Sequence, residues 1–273
     1  MNLERPFSLR LEVLIALSAG VFSMAAAPER DYPYVPVPFN RVEVNDPFWT
    51  PRLEVNRTVT IPYAFLKCEE TGRIRNFEKA AGLLSGKHEG IYFNDSDVYK
   101  VMEGAAYALQ VRPDTMLRLY LDKVVTIMAA AQWEDGYLYT FFSIPKRQPQ
   151  KRWTNIRSLH ELYCMGHMYE AAVAHWQVTG TKKFLNVAVK SADLVCRVFG
   201  PGKRTDPPGH QEIEIALCKL YRATGDAKYL QQAKFFLDQR GRLGNRGPDG
   251  RGGLYGWYSQ DHKPVVEQRE ALG

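Results

Sequence analysis

"EAAVAHWQVTGTKKFLNVAVKSADL" (170–194) and "IALCKLYRATGDAKYLQQAKFFLD" (215–238) align at an offset of 45 residues. Trp176 falls on Tyr221, Thr179-Gly180 on Thr224-Gly225, Phe184-Leu185 on Tyr229-Leu230, and Ala188 on Ala233. Apolar residues recur at helical spacing on both sides of the Thr-Gly pair. Glycine is the preferred residue just past a helix C-terminus, so each copy reads as helix, tight turn, helix. One such hairpin cannot bury its own apolar face. Repetition at this period therefore means hairpins stacked on one another.

Stacked hairpins either run on as an open solenoid or close into a toroid, and the links decide between them. Turns within a hairpin are two or three residues long. Links between hairpins are long and rich in aromatic residues, glycine and proline: "WEDGYLYTFFSIPKRQPQKRWTNIRS" (133–158) and "GPGKRTDPPG" (200–209). Long structured loops gathered at one end describe a toroid with a decorated mouth, and such loops are usually functional. A tetratricopeptide-type solenoid would keep all its links short and its period nearer 34.

The same periodicity predicts helices near 63–71, 96–111, 115–132, 158–179, 182–198, 210–223, 227–240 and from 264 onward. Pro113 stops one helix and Asp114 caps the next. Asp95 or Ser96 is read as the cap of the "DSDVYK" helix. Residues 28–62, "PYVPVPFNRVEVNDPFWTPR" among them, read as an extended arm with a short strand around Val42 and Val44. Residues 1–27 combine two arginines, an apolar run from Val13 and a terminal Ala25-Ala26-Ala27, the pattern of a secretory signal peptide. The run is short for a bilayer span, so stable membrane insertion is not expected and a short anchor is the alternative. The expected location is secreted or periplasmic.

The 273 residues are 45% hydrophobic, enough for a substantial core, and the net charge is +6. The basic residues are scattered without the stripe that nucleic acid requires. Tyrosine, at 15 copies, is the commonest aromatic, and its mixed apolar and polar character suits sugars as well as cores. Cys68, Cys164, Cys196 and Cys218 form no CxxC pair and read as buried thiols.

"HELYCMGH" (160–167) places His160, Cys164 and His167 on one helical face, within about 60° of each other at 100° per residue. A metal set is geometrically open to them. No fourth ligand is evident, and an HExxH zincin is excluded because position 164 is cysteine. Core packing is the preferred reading for Cys164 and His167. His160 lies at the mouth, where a ring nitrogen can hydrogen-bond a ligand hydroxyl, and His210 lies at the same end of its own hairpin. Glycoside hydrolysis usually takes two carboxylates. Asp135, Glu161, Glu212 and Glu214 are available, but Glu212 and Glu214 lie about 200° apart on a helix and no pair stands out.

The strings "DPFW" (46–49), "TGRIRNF" (71–77), "FNDSDVYKVMEG" (93–104), "AAAQWEDGYLYT" (129–140), "RWTNIRSLHELYCMGHMYEAAVAH" (152–175), "PGHQEIEIALCKLYRATGDAKYL" (208–230) and "DHKPVVEQREALG" (261–273), in this order, resemble glycoside hydrolase family 127, the β-L-arabinofuranosidases. The resemblance implies a mainly α protein whose residues 63–273 form the first part of an (α/α)6 barrel. It implies a glycosidase of plant-type glycans that releases β-L-arabinofuranose with retention, the partner being an arabinose-containing oligosaccharide or glycan. Carried over by position, the family's sugar-contacting histidines fall on His160 and His210, with a third expected just after Gly273. The family's acid/base glutamate, cysteine nucleophile and the glutamate and cysteines that hold its zinc are likewise expected beyond Gly273. None of the four cysteines matches those positions, so no catalytic residue and no metal ligand is assigned, and the chain is expected to be an inactive fragment. Two other readings stay open. One is a six-hairpin hydrolase of unsaturated uronides using Asp97 or Asp135, and the other is a non-enzymatic periplasmic helical-hairpin binding protein.

Overall fold

The computed structural model describes residues 34–240. The expected signal peptide, the start of the arm, Val265, Val266 and the helix expected from 264 lie outside the described residues. Among the described residues, 34–38 and 39–240 fall in different units, and every described helix belongs to the second.

No β-strand occurs among the described residues; an isolated bridge joins Phe199 to Arg204. The helical elements are α1 (Trp49–Val55), a π-helical stretch (Asn56–Thr60), α2 (Ile61–Glu70), α3 (Arg73–Ala80), α4 (Asp95–Val111), α5 (Thr115–Ala131), a short α6 (Thr140–Ser143), α7 (Glu161–Thr179), α8 (Lys183–Val198), α9 (Ile213–Thr224) and α10 (Ala227–Gln239). Helices α2, α4, α7 and α9 form one row of neighbours and α3, α5, α8 and α10 a second. Consecutive helices pair across the rows as four hairpins. This is the order expected of an α/α barrel wall. Helix α7 is flanked by α4, α8 and α9, which explains why Leu162, Met165, Met168, Tyr169, Ala172 and Val173 are all buried around its circumference.

The internal repeat reappears atom by atom. Gly180 (φ +71°) and Gly225 (φ +76°) occupy the left-handed region that glycine enters without a Cβ penalty. Each amide donates back into the preceding helix, to Trp176 O at 2.8 Å and Tyr221 O at 2.7 Å. The Thr179 and Thr224 hydroxyls donate to the carbonyls four residues earlier and accept the amides of Thr181 and Asp226 at 3.2 Å. Asp114 caps α5 as expected, accepting from Leu117 N at 3.0 Å.

Three expectations are corrected. Residues 49–62 of the expected arm are helical, and no strand forms at Val42 or Val44. The Asp46 carboxylate accepts the amides of Phe48 and Trp49 at 2.8 and 2.6 Å, and Pro51 sits in the first turn, where proline needs no amide partner. The prolines therefore announce a helix start, not an extended run. Neither Asp95 nor Ser96 caps α4. Asn94 holds the cap position, the Ser96 hydroxyl donates to Phe93 O, and Asp95 is fully buried on other business. Helix α3 is absent from the expectation because its sequence is dominated by charge; Ile74, Phe77 and Ala80 anchor it to the core.

Candidate functional site

The long link between α5 and α7 is pinned from within. Buried Asp95 accepts the Thr140 amide at 2.8 Å and the Thr140 hydroxyl at 2.5 Å. Buried Glu161 accepts the Tyr137 hydroxyl at 2.6 Å and the Trp153 amide at 3.1 Å. Burial raises both carboxyls against these hydrogen bonds, Asp95 to about 6 and Glu161 to about 7. The Tyr139 hydroxyl donates to Leu159 O. Arg152 pairs with Asp135 at 2.7 Å and lies 4.5 Å over the Tyr137 ring. Asp135 and Glu161, two of the carboxylates available in the sequence, are thus engaged in contacts that hold the link. Asp97 likewise pairs with Arg73 at 2.7 Å.

These anchors deliver His160 as the residue capping α7, at φ +60°. Its Nδ1 donates to Ser158 O at 2.6 Å, so in the neutral ring Nε2 is the acceptor. Burial lowers the His160 pKa; the Ser158 bond opposes this and neighbouring His210 adds to it. The second link brings up His210, which lies in the turn before α9 and not on the expected helix, since α9 starts at Ile213. Gly209 passes so close to the backbone of Arg157 that a Cβ would meet it at 1.9 Å. The two links are therefore packed on each other, and the His160 and His210 ring centroids lie 6.3 Å apart. The Tyr163 ring bridges them at 5.4 and 4.9 Å, and its hydroxyl accepts from Lys100 Nζ at 2.6 Å.

A charged cluster lies one step below. His167 meets the Tyr163 ring edge-to-face at 4.6 Å, and its Nδ1 is 3.1 Å from a Glu212 oxygen and 3.6 Å from Glu170. Lys219 touches Glu170 and stands 3.3 Å from Glu103. Burial and the nearby Glu170 push the Glu212 carboxyl up, whereas hydrogen bonds from His167, Glu212 and Lys219 hold Glu170 low despite its burial. His167 therefore does more than pack. Glu170 is invisible in the sequence because, His167 apart, its partners Lys219 and Glu212 come from α9 and the turn before it. Glu214 turns away from this cluster, to Arg240 at 3.6 Å.

His167, Glu170 and Glu212 are a possible metal-binding triad, with ligand atoms within 4.8 Å of one another. The Lys219 ammonium already supplies positive charge there. Zinc held by cysteines, as the resemblance implies, does not fit the described residues, because Cys68, Cys164, Cys196 and Cys218 are free thiols on four different helices and none joins the triad. Cys164 lies nearest the histidines, within hydrogen-bond reach of Phe93 O at 3.6 Å, and burial keeps its thiol protonated. Burial likewise raises Cys68 and Cys196, each to about 11, and Cys218.

Helical hairpins in two rows form the wall of an α/α barrel, with paired histidines among half-buried aromatic rings as its candidate site. The profile described as "Beta-L-arabinofuranosidase, GH127 catalytic domain" matches residues 41–273, and the chain belongs to this family. It is 39% identical over 224 residues to a non-reducing end β-L-arabinofuranosidase of Bifidobacterium longum subsp. longum, covering 74% of this chain and 34% of that protein. It is similar to the crystal structure of a GH127 β-L-arabinofuranosidase from Geobacillus stearothermophilus T6 (TM-score 0.76, 38% identity, 83% of this chain and 38% of that one). It is also similar to the GH127 β-arabinofuranosidase BT3674 (TM-score 0.74, 51% identity, 85% of this chain and 37% of that one). The chain thus spans about a third of the length of each of these relatives. No helix among the described residues is long and apolar enough to cross a membrane.

Proposed function

We propose that this chain forms the sugar-recognition wall of a β-L-arabinofuranosidase, in which His160 and His210 bind a terminal β-L-arabinofuranose of a plant-type oligosaccharide or glycan. The observation that carries this reading is the 6.3 Å approach of the two rings at the meeting point of the long links. A neutral His160 with Nδ1 committed to Ser158 offers Nε2 as acceptor to a sugar hydroxyl. Tyr163 and Phe93 supply the apolar face beside it, with Phe93 5.1 Å from the His160 ring.

The reaction we assign to the family site is retaining hydrolysis, in which a thiolate attacks the anomeric carbon and a glutamic acid protonates the leaving oxygen. Zinc, where bound, would hold that thiolate. The described residues contribute binding and positioning to this scheme. Their thiols are held protonated by burial, and Glu161, the carboxyl next to His160, is committed to Tyr137 and Trp153. We place the protein outside the cytoplasm, on the composition of residues 1–27 and the nature of a glycan substrate.

Calorimetric titration of the 273-residue protein with methyl β-L-arabinofuranoside tests the binding claim. His160→Gln and His210→Gln should each weaken affinity by roughly tenfold, as expected for one lost hydrogen bond to a sugar hydroxyl. The same protein should release no phenol from an aryl β-L-arabinofuranoside, with or without added zinc. Turnover that disappears on mutating Asp97 or Asp135 would instead favour the uronide-type chemistry.

A further inference from the structure

The aromatic surface does not end at His160. Tyr92 lies 5.7 Å from the His160 ring and 6.0 Å from Phe141, and Phe141 lies 5.3 Å from His88. These rings are half-buried, so each keeps part of its surface open among the described residues. Two ring-to-ring steps therefore separate His160 from Phe141, and a five-membered sugar covers one. The strip is longer than a single arabinofuranose requires.

The strip is also held rigidly. Buried Asn76 grips the segment before Tyr92, donating to Glu89 O at 2.9 Å and accepting the Glu89 amide at 3.0 Å. The Asn76 amide nitrogen also meets His88 Nε2 at 3.2 Å. Asn94 donates to the same Glu89 carbonyl at 3.0 Å, and Arg75 and Lys79 pair with the Glu89 carboxylate at 2.7 and 2.5 Å. A fixed aromatic surface is stacked without an ordering cost, and an apolar patch rimmed by polar groups on a soluble protein marks a binding groove. The Tyr92 hydroxyl makes no hydrogen bond among the described residues, so the phenol presents both a ring face and a polar edge.

We propose that Tyr92 and Phe141, backed by His88, form a second sugar subsite that stacks the glycan residue next to the arabinofuranose held by His160 and His210. Its ligand is the C–H face of a neutral sugar ring, and it makes the protein a reader of disaccharides or longer chains. The proposal rests on the sugar reading of the two histidines, and its occupant is set by continuity with them: the strip begins at His160 itself.

The test titrates the full 273-residue protein with methyl β-L-arabinofuranoside and with a β-L-arabinofuranosyl disaccharide. The wild type should bind the disaccharide about five- to tenfold more tightly, the contribution of one aromatic stack. Tyr92→Ala, alone and with Phe141→Ala, should erase that advantage and leave the monosaccharide Kd within about twofold. Tyr92→Phe should retain the advantage, and thermal melts of the alanine variants themselves exclude a folding defect. Equal Kd values for both ligands in the wild type would overturn the subsite and leave the histidine reading intact. Loss of both ligands in Tyr92→Ala with Tyr92→Phe unaffected would overturn it too, by assigning the ring to the first sugar. Binding of neither ligand by the wild type would overturn the histidine reading and the subsite together.

Discussion

Gly166 of α7 lies against Ile213, the first residue of α9: a Cβ on Gly166 would stand 3.0 Å from the Ile213 Cα and 2.7 Å from the Glu212 side chain. Backbone meets backbone at this crossing. The start of α9 is thereby held at a fixed height on α7, and Glu212 is delivered to His167 and Glu170. The turn carrying His210 hangs from the same point.

Gly166→Ala should therefore push α9 away and loosen both features. Overpacking of a close helix crossing costs typically about 1–3 kcal/mol, so urea unfolding should show a loss of that size. Sugar affinity should fall with it, because His210 moves while His160 stays. An unchanged unfolding midpoint would mean that the crossing yields freely.

The two repeat turns should respond alike. Gly180 and Gly225 share the left-handed conformation, and neither has an atom within 4 Å of where a Cβ would go. Alanine at either position then meets only the backbone penalty, about 1–2 kcal/mol. The variants should cost equal amounts and add in the double variant. Unequal costs would show that the repeat is one of sequence and not of energetics.

Glu161 gives stability a pH dependence. Its carboxyl titrates near 7 in the fold against an ordinary 4.5, chiefly through burial. Below about pH 4.5 folded and unfolded chains both hold the proton. Between there and about pH 7 the folded chain holds it more tightly, so stability falls as pH rises through that window and levels off above it. The loss attributable to this group is on the order of 1–3 kcal/mol. Glu161→Gln should flatten that part of the profile between about pH 5 and 8. Asp95, raised to about 6 by burial, should leave a smaller decline below that value. A variant profile parallel to the wild type would contradict this.

His167→Gln should act on stability and not on sugar. The substitution removes an imidazole from between Glu170 and Glu212, which then face each other beside Lys219. A loss of about 1–3 kcal/mol is expected, with the Kd for methyl β-L-arabinofuranoside unchanged within about twofold. Loss of bound zinc together with sugar binding would make the triad a functional metal site.

The hairpins are legible in the sequence because their signals are local. The Thr179-Gly180 and Thr224-Gly225 turns, the Asp114 cap and the periodicity of α4, α5 and α7 to α10 are each set by residues within one or two turns of each other. The convergence of His160 and His210 is legible too, through the length and composition of the links. The roles of Asp95 and Glu161 are not. Their partners, Thr140 for one and Tyr137 and Trp153 for the other, lie in a link whose path no periodicity describes. Glu170 escapes for the same reason, since only the packing of α4 and α9 on α7 makes it part of a cluster. The helix at Trp49 escapes because prolines open helices as readily as they end them.

The central claim is that His160 and His210 bind one sugar together, and a double-mutant cycle tests it most directly. Titrations of the wild type, His160→Gln, His210→Gln and the double variant with methyl β-L-arabinofuranoside give the coupling between the two rings. Groups that hold the same ligand should be non-additive, with a coupling of about 0.5–3 kcal/mol. Two losses that add, or an affinity that neither substitution changes, would contradict the shared site.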